Sequence, residues 1–404
     1  MNMQEIISQE RRTLAEGGAK GFRAAAVLGV IGIAASLAFA AASEHGWDRF
    51  FQAYLVGYAF LLSLSLGALF FVMIQHVTKA GWSVVVRRLG EVLSMNIPLL
   101  AVLFLPILLG IHLDWHHLYH WVHPDPEDAV LAHKAPYLNT TFFTIRWVVY
   151  FLVWGFYARY FYRNSVAQDS SSDPSLSLKM HRMSTHGLIA YALTQSFAAF
   201  DLLMSLDPHW FSTMFGVYFF SGSVVIIYAV LAIAMHRLQA NGYVTRVVTV
   251  EHYHDVGKML FGFVVFWAYI TFSQYMLIWY ANLPEETGWI HRRQSGDWTT
   301  WALIVLFGHF VIPFFALISR HAKRNKNFLA FMAAWMVVMH WVDIYWIAMP
   351  EFNEGAFSLH PIDFALPIGM IGVFAAVAIK RLGSTSMVPE KDPRLDESMA
   401  FENV

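Results

Sequence analysis

Residues 54–76 read YLVGYAFLLSLSLGALFFVMIQH and contain no Asp, Glu, Lys or Arg. A helix needs roughly 20 consecutive apolar residues to cross the hydrocarbon core of a bilayer, and this stretch supplies them. Nine more stretches of the same character are spread along the chain. The ten predicted spans, numbered in chain order from the first to the tenth, are residues 23–43, 54–76, 92–112, 141–162, 187–207, 214–236, 257–281, 300–320, 328–349 and 363–381. The sequence therefore predicts an all-α integral membrane protein.

The composition of the 404-residue chain agrees with this prediction. Hydrophobic residues make up 57% and charged residues 14% of the chain, and the mean hydropathy is +0.47. Such values exclude a soluble domain of this length. The chain has no cysteine. It therefore cannot hold a cysteine-ligated Fe–S cluster, a covalently attached c-type haem or a disulfide of its own.

The basic residues alternate between the two ends of the predicted spans. Of the 27 Lys and Arg residues, 22 fall at one end, in the N-terminal segment, in the loops after the even-numbered spans and in the C-terminal segment. By the positive-inside rule this end is cytoplasmic, and both termini lie there. The remaining five are Arg49, Lys134, Arg146, Arg292 and Arg293. A wrong number of spans would destroy the alternation, so the charges support ten.

We divide the chain into a cytoplasmic N-terminal segment (1–22), a membrane domain (23–381) and a cytoplasmic tail (382–404) that we expect to be irregular. The first span is interpreted as a retained helix, because its apolar stretch is longer than that of a typical signal peptide. Residues 164–177 contain several Ser residues and a Pro, and this composition predicts a flexible connector.

A short repeat links the fifth and ninth spans. Asp201 precedes Pro208 by seven residues, and Asp343 precedes Pro350 by seven residues. Four spans separate the two copies, which predicts two parallel four-helix bundles. The second to fifth spans (about 54–207) would form one bundle, the sixth to ninth (about 214–349) the other, and the first and tenth spans would flank them. Parallel repeats are common in multi-span proteins. Coincidence between two short matches is the alternative.

Four ionisable residues inside the spans are candidates for proton transfer. Such groups are costly in hydrocarbon and are functional candidates by default. Asp201 and Asp343 would each take and give a proton, or would instead join neighbouring helices by hydrogen bonds. His309 and His340 lie at equal depth on adjacent spans. They would relay protons, ligate one haem axially, or bond to neighbours as structural residues.

Further polar residues extend this candidate path. In the seventh span Ser273, Gln274 and Tyr275 occupy mid-depth positions, where they would hold a water chain or make helix–helix contacts. Glu91 lies at the start of the third span, which contains Pro98 and Pro106. Broken helices with polar residues often line cavities, so Glu91 is a candidate for an inner half-channel.

A second group of polar residues marks the outer end of the third span. His112 and Asp114 lie there, and Arg146 enters the fourth span nearby. Quinol oxidation needs acceptors for two protons, which a His and an Asp at the membrane edge would provide. A plain interfacial cluster or an adventitious metal site is the alternative. We expect no resident metal.

Two motifs carry a family resemblance. Residues 200–220 read FDLLMSLDPHWFSTMFGVYFF, and residues 272–287 read FSQYMLIWYANLPEET. With ten spans and no cysteine, they resemble the NrfD-like (polysulfide-reductase-type) membrane subunits of bacterial alternative complex III. The resemblance covers essentially the whole chain and is strongest to the smaller of that complex's two such subunits.

The resemblance implies two four-helix bundles flanked by two helices, in a complex that oxidises a quinol and reduces a cytochrome c or an attached oxidase. The implied partners are a larger NrfD-like sister subunit, an Fe–S protein, and multihaem and monohaem cytochrome c subunits. Haem c and Fe–S clusters would sit in those partners, and this chain would bind no redox cofactor, although quinol is possible. The family also suggests a proton path, which maps here onto Asp201 and Asp343.

We therefore expect a membrane subunit of a quinol:cytochrome c (or oxidase-linked) oxidoreductase that contributes a proton-translocation path. It would lie in the bacterial inner membrane among lipids and would have no nucleic-acid partner. A proton-coupled secondary transporter and a small cytochrome b that uses His309 and His340 are the alternatives.

Overall fold

The structure, a computed structural model, describes residues 9–353 and 355–403, which form helices and no strand. Within these ranges ten helices are long and apolar enough to cross a membrane, as predicted. The spans are Gly17–Ala42, Gly46–Val77, Val84–Leu113, Thr140–Ala167, Ser175–Leu206, Phe215–Ala240, Val250–Ala281, Trp298–Leu317, Lys326–Glu351 and Ile362–Leu382. The short helices between and after them are His120–Val122, Ala129–Lys134, Pro284–Gln294, Arg320–Arg324 and Leu395–Met399.

The third span consists of two helices, Val84–Ser94 and Ile97–Leu113. Pro98 lies in the first turn of the second helix, where its missing N–H costs no hydrogen bond. Asn96, at the break, donates a hydrogen bond from Nδ2 to the carbonyl of Phe374 in the tenth span, at 3.0 Å. The break is therefore stabilised by a side chain that pairs with a neighbouring span.

The eighth span changes its helical form in the middle. An α-helix, Trp298–Val305, is followed by a π-helical segment, Leu306–Val311, and then by a second α-helix, Ile312–Leu317. Pro313 lies two residues after the end of the π segment and cannot donate a backbone hydrogen bond. π segments occur frequently at functional sites, and this one contains His309.

The second span lies at the centre of the molecule. Its most apolar stretch is 94% buried, against 22% for the first span. It packs against the first, third, fifth, sixth, ninth and tenth spans. The first and tenth spans pair closely, since a Cβ atom on Gly32 would lie 2.5 Å from the Cα atom of Gly369. Small residues allow such close helix contacts in membranes.

The remaining contacts form two closed circuits. The second span packs on the third, the third on the fourth, the fourth on the fifth, and the fifth returns to the second. The sixth to ninth spans repeat this order, with the ninth returning to the sixth. The circuits meet chiefly between the second and sixth spans, with further contacts between the fifth and sixth and between the second and ninth spans. Each circuit contains one of the two repeat aspartates.

One end of the helices, which we name the basic face, gathers the N-terminal segment, the loops after the even-numbered spans and the C-terminal segment. Arg12 pairs with Glu390 at 2.8 Å, so both terminal segments meet there. The opposite face carries the other loops. On the basic face, Arg88 also pairs with Asp169 at 2.9 Å and fixes the connector between the fourth and fifth spans.

Two segments on the basic face are more ordered than expected. The helix of the fourth span continues to Ala167 and the next helix begins at Ser175, which leaves a shorter connector than residues 164–177. The tail folds back onto the spans through helix Leu395–Met399. Ser398 donates to the carbonyl of Trp82 at 2.8 Å. These contacts are made at long sequence separation, so composition alone did not predict them.

Candidate functional site

A buried cluster of two histidines and a carboxylate lies among the sixth to ninth spans. His340 and Asp343 are three residues apart on the ninth span and therefore share one helix face. His309 faces them from the π segment of the eighth span. The exposed fractions are 0% for His309, 2% for His340 and 2% for Asp343. One ligand atom from each residue lies within 4.8 Å of the others.

Asp343 is held by neutral donors. The Tyr218 hydroxyl donates to its Oδ1, and Trp267 Nε1 donates to its Oδ2 at 3.2 Å. No Lys or Arg nitrogen among the described residues lies within 4.0 Å of the carboxylate. The side chain can therefore gain or lose a proton without breaking an ion pair.

Neither ring nitrogen of His309 has a hydrogen-bond partner within residues 9–353 and 355–403. The indole of Trp267 covers the imidazole, with ring centroids 3.9 Å apart. His340 bonds through Nε2 to Ser63 Oγ at 2.8 Å, but its Nδ1 also has no partner there. Buried polar groups without partners are rare in folded proteins. Three such nitrogens lie together here, which makes the cluster the candidate site.

Gly222 on the sixth span makes room for the histidine pair. A Cβ atom at this position would lie 2.6 Å from Cε1 of His340. The two imidazole centroids are 6.4 Å apart. The glycine thus lets the His340 ring lie against the sixth-span backbone, from which it reaches both His309 and the second span.

The cluster can serve as a proton relay or hold a metal ion. A neutral imidazole offers one donor and one acceptor, so it can pass a proton between its two nitrogens. One water with two hydrogen bonds of about 2.8 Å would bridge atoms separated by 4.8 Å. Two imidazoles and a carboxylate also suit zinc. Zinc–ligand distances of about 2.0–2.2 Å would require the three groups to move closer together.

A small cavity lies between the cluster and the opposite face, separated from Asp343 by the side chain of Tyr218. Its volume is about 40 Å³, enough for water, and its lining includes Tyr218, Thr271, Gln274 and Tyr275. Gln274 is buried, and its Oε1 has no partner within the described ranges. Because Tyr218 lines the cavity and also donates to Asp343, Gln274 and Tyr275 belong to the surroundings of the cluster. Ser273 is half-buried and does not line the cavity.

On the side of the basic face, an apolar cavity of about 280 Å³ adjoins the cluster. Phe60, Leu64 and Val92 are among its lining residues, and Phe60 also contacts the ring of His340. Glu91 lies on the same helix as Val92 and pairs with Arg87 at 3.3 Å and with Arg88 at 3.0 Å. Glu91 is therefore part of a buried ion network and does not contact the cluster directly.

Asp201 occupies a different environment. Arg146 donates to both carboxylate oxygens, at 2.8 and 2.9 Å, and Tyr150 donates at 2.9 Å. Arg146 also donates to the carbonyl of Tyr137 at 2.8 Å and stacks on its ring. This bidentate arrangement is the strong geometry for an Arg–carboxylate pair.

The three quinol candidates do not converge. His112 is exposed and bonds to Thr144 Oγ1 at 2.9 Å, whereas Asp114 is exposed and bonds to His123 at 2.9 Å. Arg146 instead binds Asp201. From the sequence we placed Arg146 among the quinol candidates and Asp201 among the proton-transfer candidates. Their pairing could not be predicted, because it depends on how the fourth and fifth spans pack.

Arginines on the opposite face connect the ends of the two circuits. Arg292 pairs with Asp207, which follows the fifth span, and with Glu351 of the ninth span. Arg293 pairs with Glu351 at 2.7 Å and stacks on Trp289. Burial lowers the pKa of the Arg293 guanidinium to about 10, and the charge of Glu351 opposes this shift. Helix Pro284–Gln294 thus fixes the ends of both aspartate-bearing spans.

Sequence reasoning did not select Tyr218, Trp267 or Ser63. Ser63 carried a signal, as a hydroxyl within an otherwise apolar stretch. Tyr218 and Trp267 resemble the many aromatic residues of the spans, and only the packing brings them to Asp343. Neither the models of known protein families nor the curated proteins match the chain.

Proposed function

We propose that this chain is a cofactor-free membrane subunit of a quinol-oxidising respiratory complex of the alternative complex III type. In this proposal it corresponds to the smaller NrfD-like subunit and conducts protons. The observation that carries the proposal is the cluster of His309, His340 and Asp343. Among residues 9–353 and 355–403 its carboxylate has no ion pair, and three of its ring nitrogens have no hydrogen-bond partner. A structural cluster would satisfy these atoms, whereas a relay needs them available to water.

The proton path that we propose has an outward and an inward part. Outward, the cavity beside Gln274 leads through the Tyr218 hydroxyl to Asp343. Inward, His340 contacts Ser63, beyond which lies the apolar cavity lined by Phe60 and Leu64. Water would enter this cavity only transiently. The apolar cavity thus acts as the barrier that prevents passive proton leakage. On the basic-face side of this cavity, the ion network of Glu91, Arg87 and Arg88 forms the polar end of the proposed path.

We further propose that the two packing circuits are the two four-helix bundles of the NrfD-like fold. Support comes from the closed order of contacts in each circuit and from the equivalent positions of Asp201 and Asp343. Both termini would be cytoplasmic, in a bacterial inner membrane. The opposite face would then meet the Fe–S and cytochrome c subunits, where the haem c and Fe–S cofactors reside. A larger NrfD-like subunit would lie alongside in the lipid.

The test is an affinity purification of the chain from native membranes in mild detergent, followed by mass spectrometry and a reduced-minus-oxidised visible spectrum. We expect a multihaem cytochrome c, an Fe–S protein and a larger ten-span subunit to co-purify. A lone ten-span protein without visible absorption would contradict the proposal. A b-type haem spectrum from the isolated chain would assign His309 and His340 to haem instead.

A proton-coupled secondary transporter is the second candidate. The break at Asn96 and the π segment Leu306–Val311 favour it, because transporters place binding sites at interrupted helices. The two interruptions lie in the third and eighth spans, which are not equivalent in the repeat. Paired interruptions are the stronger signal, so we rank the transporter below the respiratory subunit.

A further inference from the structure

A polar cavity opens on the basic face, away from the histidine–carboxylate cluster. Its volume is about 220 Å³. The end of the second span, the start of the fifth span, the third span and the C-terminal segment all contribute to it. The lining residues are Gln75, His76, Lys79, Ala80, Arg87, Ser177, Leu178, His181, Asp392 and Arg394. Four segments that are distant in sequence thus converge on one cavity.

The cavity carries excess positive charge. Arg87 is balanced by Asp392, at 2.5 Å. Lys79 and Arg394 also line the cavity, and neither has a carboxylate within 4.0 Å among the described residues. Two positive charges in one cavity repel each other, and an anion bound between them would remove this repulsion.

His76 provides a second and independent observation. It is 6% exposed and lines the cavity, and its Nε2 has no hydrogen-bond partner within residues 9–353 and 355–403. His181 donates from Nδ1 to the carbonyl of His76 at 3.1 Å, which holds the His181 ring against the backbone of His76. A buried nitrogen without a partner indicates a ligand that would complete it.

The backbone conformation of Lys79 is a further unusual feature of this cavity. Its φ angle is +53°, in the left-handed region that a helix C-terminus usually fills with glycine. The N–H of Ala80 bonds to the carbonyl of Gln75 at 3.0 Å, as in a Schellman motif. A lysine at this position is less favourable than glycine, so the turn does not require the lysine side chain.

We propose that this cavity binds a phosphate group, carried by an anionic phospholipid headgroup or by phosphate in solution. Lys79, Arg394 and the Nε2 atom of His76 bind its oxygens. Basic cavities between membrane helices on the cytoplasmic side bind such headgroups. Leu178, which is 45% exposed, borders the cavity and would contact the first carbons of an acyl chain. The site is independent of the proton path.

The experiment uses the purified full chain in neutral detergent with two probes. Native mass spectrometry measures binding of added cardiolipin, and the thermal midpoint at constant ionic strength measures binding of inorganic phosphate. The variants are Lys79→Gly and Arg394→Gln. Lys79→Gly also relieves the left-handed backbone, so we expect it to fold at least as well as the original chain. Arg163→Gln is the matched control, because Arg163 is exposed and has no carboxylate partner in the described ranges.

Loss of one charged hydrogen bond weakens binding by about tenfold or more. Cardiolipin binding that falls by this factor in both variants but not in Arg163→Gln supports a lipid headgroup. Protection by inorganic phosphate that both variants lose supports phosphate in solution. The proposal is overturned if neither probe binds, or if either variant binds the effective probe as tightly as the original chain does.

Discussion

The two repeat aspartates occupy equivalent positions in the sequence but opposite environments in the structure. Asp201 accepts two hydrogen bonds from Arg146, and this ion pair fixes its charge. Asp343 accepts from Tyr218 and Trp267, which are neutral. Two histidines with unbonded ring nitrogens among the described residues lie beside Asp343, whereas Asp201 is bound by Arg146 and Tyr150. A shared motif therefore does not imply a shared role.

Under the proposed function, this difference favours a structural role for Asp201 and a role in proton transfer for Asp343. A buried ion pair resists protonation of its carboxylate, because the uncompensated arginine would remain in a region of low dielectric constant. A carboxylate with neutral donors has no such restraint. We infer that one circuit kept the aspartate as a structural tie, whereas the other kept it as a site that can exchange protons.

The largest expected effect is that of Asp201→Asn. It removes the charge that compensates Arg146 and leaves a buried guanidinium unpaired. The free energy of unfolding should fall by about 3–5 kcal/mol. The measurement is denaturant unfolding of the purified protein, followed by tryptophan fluorescence. The double variant Arg146→Gln with Asp201→Asn should recover most of the loss. A single variant as stable as the original chain would show that the pair has no structural role.

Asp343→Asn should act on function and not on folding. The amide keeps one acceptor and the approximate shape of the carboxylate, so the free energy of unfolding should change by about 1 kcal/mol. The amide cannot exchange the proton, and protons translocated per electron should fall by the whole contribution of this path. The measurement uses the reconstituted complex in vesicles with a pH-sensitive dye. An unchanged stoichiometry would rule out the relay.

Much of the fold could be predicted because the hydrophobic requirement of a membrane acts on every span. The ten predicted spans agree with ten helices, and most of the helices extend further at one end or both, although the eighth ends at Leu317 and not at residue 320. The second helix begins at Gly46, for example, whereas the predicted span begins at residue 54. Hydropathy detects only the part of a helix that matches hydrocarbon, and backbone hydrogen bonds continue the helix beyond it.

The candidate site could be predicted only in part. Counting residues along the spans predicts that His309 and His340 lie at equal depth, and the structure brings the two rings together. The pairing of Arg146 with Asp201 depends on how helices rotate about their axes, which residue counting does not give. The π segment at His309 changes that rotation locally, and its sequence contains no unmistakable signal.

His309→Leu separates stability from function at the same cluster. Both ring nitrogens lack partners in the part of the chain that the structure describes, so an apolar side chain of similar size removes unsatisfied polar atoms from the interior. The free energy of unfolding should rise by about 1 kcal/mol, since such replacements are often neutral or stabilising. Protons translocated per electron should fall by the whole contribution of this path, as for Asp343→Asn. The two measurements are thermal unfolding and dye response in vesicles. A destabilised variant would contradict this prediction, because it would mean that the His309 ring makes stabilising hydrogen bonds in the folded protein.

The smallest effect is expected for Ser63→Ala, which tests the link between the cluster and the second span. Ser63 bonds to His340 Nε2 at 2.8 Å and to the carbonyl of Phe60 at 2.8 Å. Its loss should cost about 1 kcal/mol and slow proton transfer severalfold, because His340 then loses its fixed orientation. Ser94→Ala is the matched control, since Ser94 makes the same kind of bond to its own helix, to the carbonyl of Glu91, at 2.9 Å. Equal proton-transfer rates in the two variants would remove Ser63 from the path and leave His340 to connect inward by another route.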